Sequence, residues 1–343
     1  MSNFSVKKIG KKKFSKKLFW GGILAIFLFF AGREIFYFSA LKNHFENKSV
    51  AILEIEKGEK PAEIAEKLRE KKFLAAPKWV FLKYLKSKKL DTKIQSGFFA
   101  LPKNLTVPEL ADWLLSASAR QTKITILPGA TIADIDRLLA AKNLISPGEF
   151  EKCVEKCDFS DFPFLPKNPK YREGFFWADT YFIQKDSFSV EKFARRLLKT
   201  FDQKTKKLLS GKSRDGFDIL KMASIIEKEA GKSLAEKKII AGILWKRLDA
   251  GWPLGADATT RFASKNFHGD LTIDELKNKN PWNTRAALGL PPGAIGAPSL
   301  DSIRAAVDPT PTDFWFYLHD QNGKAHFSKT AAEHAAAKKK FLR

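Results

Sequence analysis

Cysteine and histidine, the residues most useful for metal and redox chemistry, are scarce here: two and five in 343 residues. A zinc site draws three or four such ligands at short spacing, whereas Cys153 and Cys157 stand apart from the scattered histidines. The sequence therefore offers no metal site and no cofactor site. The two cysteines, four apart in what reads as a short helix, suit either reduced core thiols or a local disulfide. Acid is in short supply too, with 38 Asp and Glu against 61 Lys and Arg, a formal charge of +23. Such an excess points to an anionic partner: nucleic acid, an acidic lipid surface or an anionic polymer. Zinc-finger spacing, an RNP-type aromatic pattern and a long basic helix are all missing, so nucleic acid is the weakest of these. What the chain does have is core-forming material, 44% hydrophobic residues and 30 Phe, enough for two or three folded domains.

Lys7, Lys8, Lys11, Lys12, Lys13, Lys16 and Lys17 precede an apolar run from Leu18 to Phe38 that only Arg33 and Glu34 interrupt. As a helix the run reaches about 30 Å, the thickness of a bilayer's hydrocarbon core. Arg33 and Glu34 lie late enough to snorkel to the interface. Residues 1–17 thus read as a basic cytoplasmic tail, 18–38 as a transmembrane anchor, and everything after Ala40 as an external body. No small-x-small cleavage site closes the run, which favours an uncleaved anchor over a signal peptide.

An internal repeat follows. Leu53-Glu54-Ile55-Glu56-Lys57-Gly58, then Ala62, Ile64, Leu68, Lys71 and Phe73, matches Ile124-Thr125-Ile126-Leu127-Pro128-Gly129, then Ala133, Ile135, Leu139, Lys142 and Leu144, at a constant offset of 71. Each copy predicts a short strand, a Gly turn and an amphipathic helix. Gly97 to Pro102 and Thr106 to Leu110 give a related unit between them, with Pro108 in the first helical turn. Pro163, Pro166 and Pro169 then break regular structure and mark a boundary. The repeat region spans 50–157 and a second domain 171–343. Such units serve either as a spacer or as a glycan-binding module.

In the second domain, helices are expected near Ser189–Phe201, over Leu234–Leu248 and over Ser299–Ala306. A strand at Phe314–Leu318 turns through Gln321-Asn322-Gly323 into His326–Thr330. Pro253 to Thr260 reads as a polar, turn-rich loop, and Pro281 to Ile295 as an irregular segment offering free backbone groups to a ligand. His326 and His334 are candidates for chemistry, although isolated histidines are more often structural. The segment around Met222-Ala223-Ser224-Ile225-Ile226-Glu227-Lys228-Glu229 is the most informative. On a helical wheel, Ile219, Leu220, Met222, Ala223, Ile226 and Ala230 share one sector, and Glu227 falls inside it; Glu229 points to the polar edge. A carboxylate on an apolar face loses hydration, its proton affinity rises, and it becomes a candidate general acid. The alternative is a structural ion pair.

Glu173-Gly174-Phe175, Asp179-Thr180-Tyr181, Ala223 to Glu229, Asn283-Thr284, Gly289-Leu290-Pro291-Pro292-Gly293 and His326-Phe327-Ser328 through Glu333-His334 occur together and in order. In these the chain resembles the MltG (YceG-like) family of endolytic murein transglycosylases. The resemblance implies an α+β protein: a single transmembrane helix, a LysM-like strand-turn-helix subdomain, then a mixed α/β catalytic domain. It further implies cleavage of nascent peptidoglycan strands between MurNAc and GlcNAc with 1,6-anhydro-MurNAc ends. The partners it implies are glycan strands, the lipid bilayer and peptidoglycan synthases, and the localisation a cell membrane with the body outside. It assigns catalysis to Glu227, with Glu229 as the alternative acid and Asp257, Asn283 and Thr284 on the substrate side. Gly255, Ala258, Trp282 and Arg285 depart from the family pattern beside those residues. The rival reading is an anchored glycan-binding scaffold without turnover. A pyridoxal-phosphate lyase would need a Schiff-base Lys and an anion-cradling helix start, which no stretch suggests.

Overall fold

The computed structural model describes residues 16–44, 51–74, 76–102, 104–116, 120–231, 233–267 and 269–342. Two compact units divide the chain, residues 1–122 and 123–343. Most of the lysine tail lies outside the described residues.

The smaller unit begins with α1 (Lys16–Lys42), which over Trp20–Lys42 is long and apolar enough to cross a membrane. Its Trp20, Phe27 and Phe29 are exposed, and only near its end do Tyr37 and Ala40 become buried. Arg33 and Glu34 meet partners within the unit: the Arg33 guanidinium lies 4.6 Å from the Trp79 ring, and Glu34 pairs with Lys83. The polar turn thus marks where the helix docks on α3 (Lys78–Ser87). Strand β1 (Ala51–Ile55) leads through the Gly58 turn to α2 (Pro61–Glu70). After α3 come β2 (Gly97–Leu101) and α4 (Val107–Leu115). β1 and β2 pair antiparallel with Leu53 opposite Phe99; both side chains face a core that also holds Ile64, Leu68, Phe81 and Leu110. Thr106 caps α4 by accepting the Glu109 N–H, and Pro108 occupies its first turn, where no N–H is needed.

Strand β3 (Arg120–Thr125) carries the chain from one unit to the next, and α5 (Ile132–Ala141) follows. The 71-residue offset recurs in the fold: α2 and α5 begin and end in register, Gly58 and Gly129 both adopt positive φ, and so do Lys72 and Asn143. Ile135 and Leu139, equivalent to Ile64 and Leu68, belong to the core of the larger unit. There α6 (Glu149–Lys156) carries a Cys153–Cys157 disulfide. β4 (Thr180–Ile183) and α7 (Val190–Leu209) come next. Ser189 caps α7, and the helix runs eight residues past Phe201 because Thr205 and Leu208 continue its packed face.

The core of the larger unit is built around α8 (Gly216–Glu229). Asp215 caps it, accepting the N–H groups of Phe217 and Asp218 at 2.8 and 3.3 Å, and residues 219, 220, 222, 223, 225 and 226 are sealed. Packed on it are α9 (Leu234–Asp249), α10 (Asp257–Ser264) and, beyond the short α11 (Ile273–Lys277), α12 (Leu300–Val307). Residues from Asp257 are therefore helical, where Pro253–Thr260 reads from sequence as a loop. Glu229 accepts the Ala258 N–H of that first turn, a donor with no intrahelical partner. An antiparallel hairpin, β5 (Phe316–His319) and β6 (Ala325–Ser328), and α13 (Ala331–Phe341) complete the unit.

Candidate active site

The last turn of α8 presents two carboxylates to opposite neighbours. Glu227 faces the start of α12. Its Oε2 accepts the Ser299 N–H at 2.9 Å, the Ser299 hydroxyl, the Ser302 hydroxyl at 2.6 Å and the Lys237 ammonium at 3.2 Å. Lys237 also donates to both serine hydroxyls, at 3.1 and 2.9 Å, and both charged side chains are nearly buried. Burial raises the proton affinity of Glu227, but the serine donors and Lys237 more than offset it, and the carboxyl stays below its usual range. The wheel argument expects the reverse shift. It counts the apolar sector correctly but has no knowledge of donors that arrive from more than seventy residues away.

Three residues earlier on the same face, the Ser224 hydroxyl accepts the Ile295 N–H at 3.0 Å. The Gly129 N–H meets the Ala297 carbonyl at 2.6 Å, and the Ala297 N–H returns to Ala130 at 2.8 Å. Gly296 has a φ of 151°, and a Cβ there would lie 2.6 Å from the Gly129 carbonyl oxygen, so only glycine allows this approach. Residues 295–302, which run from the end of the irregular segment into α12, are thus clamped to α8 and to Gly129 and Ala130, and Glu227 is the charged member of the clamp.

Glu229 faces the other way. Its Oε1 accepts the Ala258 N–H at 3.3 Å and its Oε2 the Tyr317 hydroxyl at 3.0 Å. Burial drives its proton affinity up, the two hydrogen bonds pull it back in part, and the paired Asp257 and Arg285 push in opposite directions; the net direction is upward. The carbonyl end of α8 adds negative potential at this position and likewise favours the neutral acid. Asp257, in the first turn of α10, pairs with Arg285, and both are about half exposed beside Glu229. Arg247 ties the surroundings together, donating to the Leu254 carbonyl at 2.7 Å and, through Nε, to the Trp315 carbonyl at 2.9 Å. One acid is therefore pinned as an anion inside a packed joint. The other is raised in proton affinity beside an accessible ion pair.

Asn283 and Thr284 are fully buried. The Asn283 amide donates to the carbonyls of Glu275, Leu276 and Asn278 at 3.2, 3.1 and 2.8 Å and accepts the Thr260 hydroxyl at 2.7 Å. Thr284 shares a 2.8 Å hydroxyl contact with Thr259, and its carbonyl accepts the Gly255 N–H. The Asn283 nitrogen is spent on the end of α11 and the turn after it, while its oxygen accepts from Thr260 of α10 and from the Arg285 N–H at 3.1 Å, so the residue ties the backbone of Arg285 to both helices. His326 pairs with Asp320 at 2.9 Å and stacks 3.7 Å from Phe341, while His334 stacks on Phe316; both brace the hairpin. Glu173 accepts the Ile132 N–H at 3.0 Å at the start of α5, and burial raises it to about 8. Tyr317, Arg247, Lys237, Ser299 and Ser302 have no signature in the sequence, since each acts on a residue far away in the chain. Only the period-2 alternation of β5 offers a weak pointer to Tyr317.

The larger unit is thus a mixed α/β scaffold with a carboxyl group of raised proton affinity at a helix end, beside the Asp257–Arg285 pair. The chain belongs to the YceG-like family, which it matches over residues 53–340. It is 27% identical over 314 residues to a Bacillus subtilis protein named endolytic murein transglycosylase, covering 87% of this chain and 86% of that one. A Streptococcus pneumoniae protein of the same name is 23% identical over 321 residues; the match takes in 84% of this chain and 58% of the longer relative. A crystal structure of a yceG-like protein from Listeria monocytogenes superposes with a TM-score of 0.57 at 26% identity, covering 85% of this chain and all of that one.

Proposed function

We propose that this protein is an endolytic murein transglycosylase that cuts glycan strands between MurNAc and GlcNAc, with Glu229 as its acid and base. The observation that carries the assignment is the environment of Glu229, whose carboxyl is raised in proton affinity and held by Ala258 and Tyr317 next to the accessible Asp257–Arg285 pair. Protonated Glu229 gives its proton to the glycosidic oxygen as the bond to MurNAc C1 breaks. The carboxylate left behind removes the proton from the MurNAc C6 hydroxyl as that oxygen closes on C1, which yields a 1,6-anhydro end and restores the acid. The nucleophile belongs to the substrate, so no second catalytic carboxylate is required, and the intramolecular attack gains from proximity.

The backbone N–H of Ala258 can only donate, so it favours Oε1 as the acceptor oxygen and Oε2 as the one that carries the proton. The Tyr317 hydroxyl can donate to the anion or accept from the acid, and it serves both halves of the cycle. Asp257 and Arg285 contact substrate, while Asn283 and Thr284 position them. Glu227 is the structural member of the pair. The anchor α1 holds the body on the outer side of the cell membrane beside the glycan synthases, with the strand-turn-helix unit as a LysM-like module; a disulfide such as Cys153–Cys157 fits an oxidising compartment. Mass spectrometry of uncrosslinked strands incubated with the full chain in detergent tests the reading. Internal cuts with anhydro-MurNAc ends are expected; water-terminated ends would make it a hydrolase, and binding without cleavage a scaffold.

A further inference from the structure

Trp252 is 44% exposed, yet its backbone is rigid. Its N–H reaches back to the Arg247 carbonyl at 2.8 Å while the Gly251 N–H bonds Leu248, and Gly251 has a φ of 67°. That is a Schellman ending of α9, with Trp252 at the position whose side chain commonly folds back on the helix it terminates. Here the ring turns instead to Trp315, with centroids 4.7 Å apart and planes inclined by 38°, and to the edge of Phe316 at 6.4 Å. Trp315 is anchored as well: its N–H donates to Ser328 at 3.0 Å, extending the β5–β6 ladder by one residue, and the Lys246 ammonium lies 4.3 Å from its ring centroid. Behind Trp315 opens a cavity of about 520 Å³ whose walls include Arg214, Trp245, Asp249 and Thr310.

Both arms that reach Glu229 begin at this pair. Five residues after Trp252 comes Asp257, followed by the Ala258 N–H that meets Oε1; two residues after Trp315 comes Tyr317, which meets Oε2. Residues two apart on a strand share a face and lie about 7 Å from each other. Arg247 bonds both arms through the Leu254 and Trp315 carbonyls, so the aromatic pair and the acid are mounted on one frame.

We propose that Trp252 and Trp315 form a sugar-stacking subsite that holds an N-acetylhexosamine ring of the glycan strand beyond the cleaved linkage. The proposal rests on the reading of Glu229 as the acid of a glycan-cutting enzyme. A pyranose presents a face of axial C–H groups that packs on an electron-rich indole and leaves its hydroxyls free for the polar rim. The rim supplies Arg214 and Asp249, which pair with each other at 2.7 Å, and Lys246 adds a cation suited to the carboxylates of the stem peptides that such a strand carries. A preset, exposed ring binds without an ordering cost of its own.

The test uses the full chain in detergent micelles carrying Glu229→Gln, so that strands are bound and not cut. Adding Trp252→Ala should weaken binding of uncrosslinked strands by about five- to ten-fold in titration calorimetry, and Trp252→Tyr should restore most of it. In the otherwise unaltered protein, Trp252→Ala should raise KM for long strands by a similar factor and leave kcat in place. Unchanged affinity and KM in Trp252→Ala overturn the subsite even where cleavage is normal. So does a loss confined to binding of anionic lipid vesicles, which would make the pair a membrane-interface contact. A wild-type protein that binds strands through Trp252 but leaves them uncut keeps the subsite and removes the cleavage reading. Absence of any strand binding overturns both.

Discussion

The two sides of the last turn of α8 use the same residue type for opposite ends. Toward α12, Glu227 collects four donors on one oxygen, two of them serine hydroxyls and one an ammonium that is itself buried. Toward α10 and β5, Glu229 divides two weaker donors between its two oxygens and has Asp257 close by. The first environment stabilises the anion and the second the neutral acid. What decides the role of a carboxylate here is not whether its helical face is apolar but how many donors the rest of the chain sends to it.

The largest effect that separates the two sides is on stability. Glu227→Ala leaves Lys237 buried without its counter-charge and Ser299 and Ser302 without their acceptor, at a cost of about 3–5 kcal/mol. Urea unfolding of the detergent-solubilised chain measures it. Adding Lys237→Met should recover a large part of the loss, because a buried pair replaced by apolar groups costs far less than a broken one. An unchanged midpoint in the single variant would dissolve the contrast.

Tyr317→Phe probes the other side more gently. The hydroxyl stabilises the ionised form of Glu229, so its removal raises that group's proton affinity further. The basic limb of kcat/KM against pH should move upward by up to about one unit, the equivalent of one hydrogen bond. A profile that falls in height without moving would make Tyr317 only a packing residue.

The smallest effect is a difference in slope. Glu227 is held below its usual value of 4.5, so its contribution is present above that value in the unfolded chain and is lost as pH falls through its folded value. Glu229 is held above 4.5, so its contribution is present at low pH and is lost as pH rises through its folded value. The stability gap between wild type and Glu227→Ala should therefore shrink toward acid, while Glu229→Gln should gain on wild type as pH rises. Parallel curves would mean that the two environments do not differ.

Local features of the fold were legible in the sequence. The 71-residue repeat shows its offset in the ends of α2 and α5 and even in the paired positive-φ residues Lys72 and Asn143. The helix starts at Ser189 and Ser299 and the turn before His326 follow from local chemistry. Of the site, the sequence singled out the segment Ala223 to Glu229. Glu227 and Glu229 read from sequence as members of one helix and Asp257 as a loop residue on the substrate side; in the fold Asp257 lies in the first turn of α10, next to the Ala258 N–H that Glu229 accepts. The direction of the Glu227 shift, the burial of Asn283 and Thr284, and the contact of Tyr317 with Glu229 were not legible, because they depend on partners up to 88 residues away. Helical periodicity says which way a side chain points and nothing about what arrives to meet it.

The central claim is that Glu229 carries the proton and Glu227 carries the joint. Its most direct test is the rate of anhydro-ended cuts in uncrosslinked strands, per mole of folded full-length enzyme, for Glu229→Gln and Glu227→Gln side by side. The expected result is a loss of at least about 100-fold in Glu229→Gln, the scale of a missing general acid, with folded Glu227→Gln within about ten-fold of wild type. A folded Glu229→Gln that still cuts while a folded Glu227→Gln does not would contradict the account.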